Sequence, residues 1–366
     1  MPQIEPWIDS HELKYLTKAI ESTFVTEHKL TEEFEERLRE LTGSKYAVAM
    51  CNATMGLYCC LLSLGIGEGD EVIVPNLTFI ATSNAVILAG ATPVFCDVVE
   101  QDFSLDLEKA EKCLSPKTKA IMPVHLYGTS CDMDSVMAFA KKQGLFVVED
   151  AAQGVGVRYK GTHVGSIGDL GVLSFYGNKT ITCGEGGVVL TNNKELRDKC
   201  YELKNFGRAD KGMFIHDTIG FNFCFTEMQA AVGLSQLDKL TSIIKQKNII
   251  RDFYNINLLG LKSFMKAIEY DSNVSPVYWF TSFLLENPDD KPQLGKFLKD
   301  NGVQTREFFY PLDLQPCYDG MYNHRCDLTT SHDLYRRGIS LPSSHNLKKS
   351  DLERVIQLIH FYFGGE

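Results

Sequence analysis

The chain has no CxxC pair, no HExxH motif, no long basic run, and no apolar stretch approaching the ~18 residues a membrane span needs. Without paired cysteines or a His–Glu ligand spacing, no metal site is expected. The eleven cysteines are an odd number, and Cys51, Cys59, Cys60 and Cys96 fall in apolar segments. They are expected to behave as small buried hydrophobes in a reducing compartment. Lys and Arg number 37 against 47 Asp and Glu, a net charge of −10, which argues against nucleic acid or an anionic membrane as partner. The first residues, MPQIEPWIDSHELKYLTKAI, carry acids and no long apolar core, so a cytoplasmic location is expected. No repeat or low-complexity segment is visible.

What is present is a globular chain of 366 residues, 44% hydrophobic, longer than one core usually supports, so two lobes are expected. Short apolar runs recur: YAVAMC from Tyr46, EVIVP from Glu71, TPVFCDV from Thr92, AIMPVHLYG from Ala120, LFVVEDA from Leu145, LGVLSFYG from Leu170 and GGVVLT from Gly186. They read as buried strands. Helical patterns such as TMGLYCCLLSLG, TSNAVILAG and MDSVMAFAKKQG lie between them, the last two closing on glycine. The alternation predicts an α/β fold, with a mainly parallel central sheet and helices on both faces. From about Thr241 the pattern loosens into strand-like YWFTSFLLE, a helix PQLGKFLKDNG, TREFFYPL and a closing helix from Ser350, a smaller α/β lobe. The predicted domains are residues 1–240 and 241–366, with residues 1–20 able to pack on the second.

In open parallel sheets ligands gather at the carboxyl ends of the strands. At the first such end, in CNATMG, Asn52 caps a helix predicted to begin near Thr54; taken alone this reads first as an ordinary capped helix, and otherwise as free N–H groups that suit an anion. At the next, Phe79 either joins the core or stacks on a flat heteroaromatic ring. The strand LFVVED ends on Glu149 and Asp150, and alternation sends only one of them into the crevice. Lys179 follows in SFYGNKTITCGEGG, with Ser174 and Asn178 as polar neighbours, Phe175 and Tyr176 as apolar bulk, and glycines from Gly184. A phosphate cradle, a ring stacker, a carboxylate and an amine at one sheet edge are the four needs of pyridoxal phosphate (PLP), with Lys179 supplying the amine.

The blocks GEGDEVIVPNLTFIATSNA, AIMPVHLYG, VVEDAAQG, GSIGDLGVLSFYGNKTITCGEGG, FTEMQAAVGL and GVQTREFFYPL, in that order, resemble the DegT/DnrJ/EryC1/StrS group of fold-type-I sugar aminotransferases nearly end to end. The lysine segment looks most like that of GDP-perosamine synthases. The resemblance implies transfer of an amino group from L-glutamate to the C4 ketone of a nucleotide-linked 4-keto-6-deoxysugar. Lys179 would bond to PLP and Asp150 would pair with the pyridine nitrogen. Gln153 would lie near the ring hydroxyl, while Ala53, Thr54 and Ser174 would hold the phosphate. Phe79 would stack, and Asn222 would reach a neighbouring subunit's site in a homodimer.

Tyr310, Asp313, Arg306 and Cys224 are the candidate substrate contacts. Relatives often carry histidine at Asp313, arginine at Cys224 and glycine at Ala53, and a glycine near Glu27 and His28 is missing. If Asp313 and Cys224 face the acceptor, an anionic diphosphate loses support unless Arg208 or Arg306 compensates. The alternatives are an acceptor not tethered to a nucleotide, such as a keto-acid sugar or a small phosphorylated ketone, and a binding or regulatory protein without catalysis. Lys179 argues against the deoxygenating relatives, which carry histidine there.

Overall fold

A computed structural model describes residues 1–209, 212, 214–321 and 325–364. Two helices, α1 (Ser10–Glu21) and α2 (Lys29–Thr42), open the chain. Strands and helices then alternate: β1 (Tyr46–Met50), α3 (Ala53–Ser63), β2 (Glu71–Pro75), α4 (Ala81–Leu88), β3 (Thr92–Cys96), α5 (Leu107–Cys113), β4 (Thr118–Ile121), α6 (Met133–Gln143) and β5 (Phe146–Asp150). A small hairpin, β6 (Arg158–Tyr159) and β7 (Thr162–His163), precedes β8 (Leu170–Ser174), β9 (Gly187–Thr191) and α7 (Lys194–Lys204).

The seven-stranded sheet has the order β1-β9-β8-β5-β4-β2-β3. Its strands are parallel except β9, which runs against both neighbours. Parallel strands need a crossover, and no helix separates Ser174 from Gly187, so the chain can only return antiparallel. Both faces are buried, which explains the unbroken apolar runs. Ala47, Ala49, Val188 and Leu190 enter the core under α2, α5 and α6, while Val48, Met50 and Val189 enter the core under α3 and α4. Each such valine or leucine contributes about 1.5–3 kcal/mol on burial.

Two apolar runs are shorter as strands than their sequence predicts. In AIMPVHLYG the strand stops at Ile121, and Leu126–Gly128 forms a 3-10 turn with Tyr127 at φ 54. Gly128 (φ +87) is required there, because a Cβ would lie 1.7 Å from the carbonyl oxygen of Val277. Its own carbonyl accepts from Val277 N at 3.0 Å, which fastens the segment before Trp279 to the large sheet. In YWFTSFLLE only Thr281–Leu285 is strand; Trp279 and Phe280 pack in a separate apolar cluster with Tyr127 and Phe308.

Helix α8 (Glu227–Asn257) starts from a Thr226 capping box and runs unbroken for 31 residues, with Leu234 and Leu237 in the first core and Ile250 and Tyr254 in another. Beyond it come β10 (Met265–Ala267), β11 (Val274–Ser275), β12 (Thr281–Leu285), α9 (Asp290–Asp300), β13 (Arg306–Glu307), α10 (Thr329–Arg337), β14 (Gly338–Leu341) and α11 (Lys349–Tyr362). Strands β10, β12, β14 and β13 form a second, antiparallel sheet, and β11 joins the β6–β7 hairpin. The N-terminus reaches this part of the molecule: the Met1 ammonium donates to Gly302 O at 2.6 Å, and Ser343 N donates to Gln3 O at 2.8 Å.

Candidate active site

A cavity of about 530 Å³ opens at the carboxyl ends of β1, β2, β5 and β8, closed from the other side by Trp279, Arg306 and Phe309. Asn52, at the start of α3, accepts from Met55 N at 3.0 Å through its side chain. The N–H groups of Ala53 and Thr54 have no intrahelical acceptor and line the cavity. Gly187 makes this possible, since a Cβ there would stand 2.5 Å from Ala53 N. Ser174, at the end of β8, lies on the same wall and accepts from Tyr176 N at 3.4 Å.

The strand end left two carboxylates to choose between, and the fold separates them. Asp150 lines the cavity, buried, and accepts from Thr82 Oγ1 at 2.7 Å and from Ala152 N at 3.1 Å. Glu149 points away, fully buried, accepting from His125 Nε2 at 2.9 Å and from the amides of Gly165, Ile167 and Gly168 at 2.6–2.7 Å. Burial alone would raise its pKa, but His125 and these amides outweigh that and hold the carboxyl below its ordinary value. Cys131 N donates to His125 Nδ1 at 3.3 Å, which leaves the Nε2 proton for Glu149. Glu149 is therefore a structural anion, and Asp150 the one available to a ligand.

Lys179 stands on the loop after β8, its N–H donating to Tyr176 O at 2.9 Å. Burial pushes its ammonium pKa down to about 8; Asp150 opposes the fall and the Arg306 guanidinium adds to it. Its Nζ lies 4.2 Å from the Trp279 ring centroid. Trp279 Nε1 in turn donates to Asn178 O at 2.6 Å, pinning the lysine loop from the opposite wall. The buried Lys247 ammonium donates to Trp279 O at 3.0 Å. Gln153 accepts from Tyr127 N at 2.7 Å, so its amide N–H groups are left to face the cavity. Phe79, half exposed, lies against Phe309 with ring centroids 5.7 Å apart. Arg306 sits over the Phe280 ring at 5.4 Å and, among the described residues, pairs with no carboxylate.

One cavity thus brings together Ala53, Thr54, Phe79, Asp150, Gln153, Ser174, Lys179 and Arg306. It does not bring in Tyr310, Asp313, Cys224 or Asn222. Tyr310 packs edge-on against Tyr335, and Cys224 Sγ donates to Lys204 O at 3.5 Å. Asp313 accepts from Asn76 Nδ2 at 2.7 Å and lies 2.8 Å from His332 Nε2. Asn222 is exposed and bridges Asn205. The sequence reading missed Trp279, Thr82 and Phe309. Only Trp279 carried a signal, as one of two tryptophans in the chain, and its position in YWFTSFLLE suggested a strand. The expectation of no metal rested on local spacing, which is blind to the convergence of Cys96, Cys113 and Cys326.

Free N–H groups at a helix start suit a phosphate, a buried acceptor-only carboxylate suits a protonated ring nitrogen, and a lysine near pKa 8 suits an aldehyde. The donor set therefore fits PLP. Residues 6–360 match the DegT/DnrJ/EryC1/StrS aminotransferase family. The chain belongs to that family. It is a PLP-dependent sugar aminotransferase. GDP-perosamine synthases from Escherichia coli O157:H7 and Vibrio cholerae are 38% and 36% identical to it, over 100% and 99% of this chain and 99% of each of theirs. Among solved structures, DesV of S. venezuelae in complex with a ketimine intermediate is 32% identical, with a TM-score of 0.91 over 99% of both chains. No helix among the described residues of the aminotransferase is long and apolar enough to cross a membrane.

Proposed function

We propose that this aminotransferase moves the amino group of L-glutamate to the C4 ketone of a nucleotide-linked 4-keto-6-deoxysugar. The observation that carries this reading is the pairing, in one cavity, of a lysine with a depressed pKa and a buried Asp150, in a chain that two GDP-perosamine synthases match from end to end. When bound, PLP supplies an electron sink for chemistry at the donor's α-carbon. Lys179 Nζ would hold its aldehyde, and as a free amine would serve as general base for the donor's α-proton. A pKa of about 8 leaves a useful neutral fraction near neutral pH. Asp150 would keep the ring nitrogen protonated, Gln153 would donate to the ring hydroxyl, and the Ala53 and Thr54 amides with Ser174 would hold the phosphate. Phe79 would supply a flat apolar face for the ring. Arg306 takes a carboxylate or phosphate of the substrate, and Asn222 completes the phosphate site of a second copy in a homodimer.

A non-nucleotide acceptor is the second reading, and it rests on Asp313 and Cys224 together facing the substrate. The bonds from Asp313 to Asn76 and His332 weaken it. The decisive experiment loads the holoenzyme with ¹⁵N-labelled L-glutamate, removes the donor, and offers a GDP-linked 4-keto-6-deoxysugar beside the free keto-sugar and a phosphorylated ketone. Label is expected in the GDP-linked product. Label only in a non-nucleotide product would overturn the proposed acceptor while leaving the aminotransferase assignment intact.

A further inference from the structure

Three thiols that no local motif connects meet at the edge of the large sheet. Cys96 ends β3, which is the edge strand; Cys113 ends α5; Cys326 lies just before α10. Their sulfur atoms all lie within 4.8 Å of one another. Cys96 and Cys113 are buried and Cys326 is partly open to solvent. Their other contacts are weak: Cys96 Sγ approaches Asp106 O at 3.5 Å, and both Cys113 Sγ and Cys326 Sγ approach Phe95 O at 3.9 Å.

We propose that Cys96, Cys113 and Cys326 form a binding site for a soft divalent cation of the zinc class, with water on the open Cys326 side as fourth ligand. Tetrahedral Zn–S bonds of about 2.3 Å place sulfur atoms about 3.8 Å apart, so the trio needs to contract by no more than about 1 Å. Binding releases three thiol protons to solvent and moves no electrons. The complex carries a charge of about −1, less than the −2 of four-cysteine zinc sites. The Arg325 guanidinium, which donates to Cys113 O at 2.8 Å, stands beside it, with its charge already shared by Glu71 at 2.7 Å. Three converging thiols also fit a cation better than a disulfide, which uses two, requires an oxidant and leaves the third sulfur without a role. The bound ion would staple the segment leading into α10 to the edge strand, away from the PLP cavity.

The test uses reduced, metal-stripped holoenzyme titrated with cobalt(II), then zinc. One cobalt per chain is expected, with thiolate charge-transfer bands and tetrahedral d–d bands at the red end of the visible, clear of the cofactor's absorption. Zinc should displace them and protect Cys326 from alkylation. Cys326→Ser, at the partly exposed position, should abolish the bands, while Cys317→Ser, outside the cluster, should keep them. Absence of thiolate bands in folded wild type, or bands that survive Cys326→Ser, would overturn the site. So would loss of two thiols on mild oxidation without metal uptake, which would make the cluster a disulfide instead.

Discussion

Replacing the lysine on which the chemistry depends should make the cofactor-free protein more stable. Burial lowers the Lys179 pKa from 10.5 to about 8. That difference corresponds to about 3 kcal/mol by which the folded state disfavours the ammonium. The ammonium recovers part of this from the Trp279 ring, about 0.5–2 kcal/mol. Lys179→Met keeps the stem and removes the charge, so stripped variant should be about 1–2.5 kcal/mol more stable than stripped wild type at pH 7. The sign with pH follows from proton counts. Between about pH 8 and 10.5 the unfolded chain holds the lysine proton that the folded one has lost, so wild type gains stability as pH rises through that window. The variant gains nothing there from this position, and the gap should close by pH 10.5. Urea unfolding of both proteins at pH 7, 9 and 10.5 measures it, and the difference cancels other groups such as Lys247, itself pushed down to about 7 by burial. A variant less stable than wild type at pH 7, or a gap that does not change with pH, would refute the reasoning.

The candidate cofactor site and the proposed homodimer give two further expectations. Asp150→Asn keeps the shape and one of the two accepted bonds, from Thr82 or from Ala152, but turns the other oxygen into a donor and removes the charge; losing a charge-assisted bond of about 1.5–3 kcal/mol should slow single-turnover deamination of L-glutamate about 10- to 150-fold with PLP still bound. Equal rates would remove Asp150 from the chemistry. Because Asn222 is exposed and lies outside its own chain's cavity, mixing Lys179→Ala with Asn222→Ala subunits should restore activity through hybrids that have one site free of both lesions. Verified hybrids that remain inactive would place Asn222 outside the partner's site.

The large sheet and most of the site were legible because parallel strands buried on both faces leave apolar runs, and the residues ending those runs must face the crevice. Asn52 and Ser174 follow from that rule, as does one carboxylate of the pair Glu149 and Asp150, and Lys179 stands on the loop after such an end. Periodicity carries no direction, so the reversal of β9 could not be read. Alternation separates Glu149 from Asp150 without saying which faces inward; the glycine-rich turn at 165–168 decides it, by presenting three amides to Glu149. The opposite wall was hidden for another reason. Trp279 meets Asn178 across 101 residues of sequence, and no local pattern encodes such a contact. His332 as the partner of Asp313, and Cys326 as the third thiol, are invisible for the same reason.

The long-range contacts also change the argument about the acceptor. Read alone, Asp313 in place of a family histidine suggested repulsion of a diphosphate. In the fold an imidazole returns from α10, and Asp313 is held by His332 and clamped to Asn76, whose side chain also accepts from Asp313 N at 2.9 Å. The charges that remain on the cavity wall are Lys179 and Arg306 against Asp150 and Glu185. If Lys179 is given to the cofactor aldehyde and Asp150 to the ring nitrogen, Arg306 is the remaining cation among the described lining residues for a substrate anion. A donor carboxylate and an acceptor phosphate would both need it. In a two-stage transfer they are never bound together, so one guanidinium suffices for both, and the absence of a carboxylate partner among the described residues is the condition for that double use.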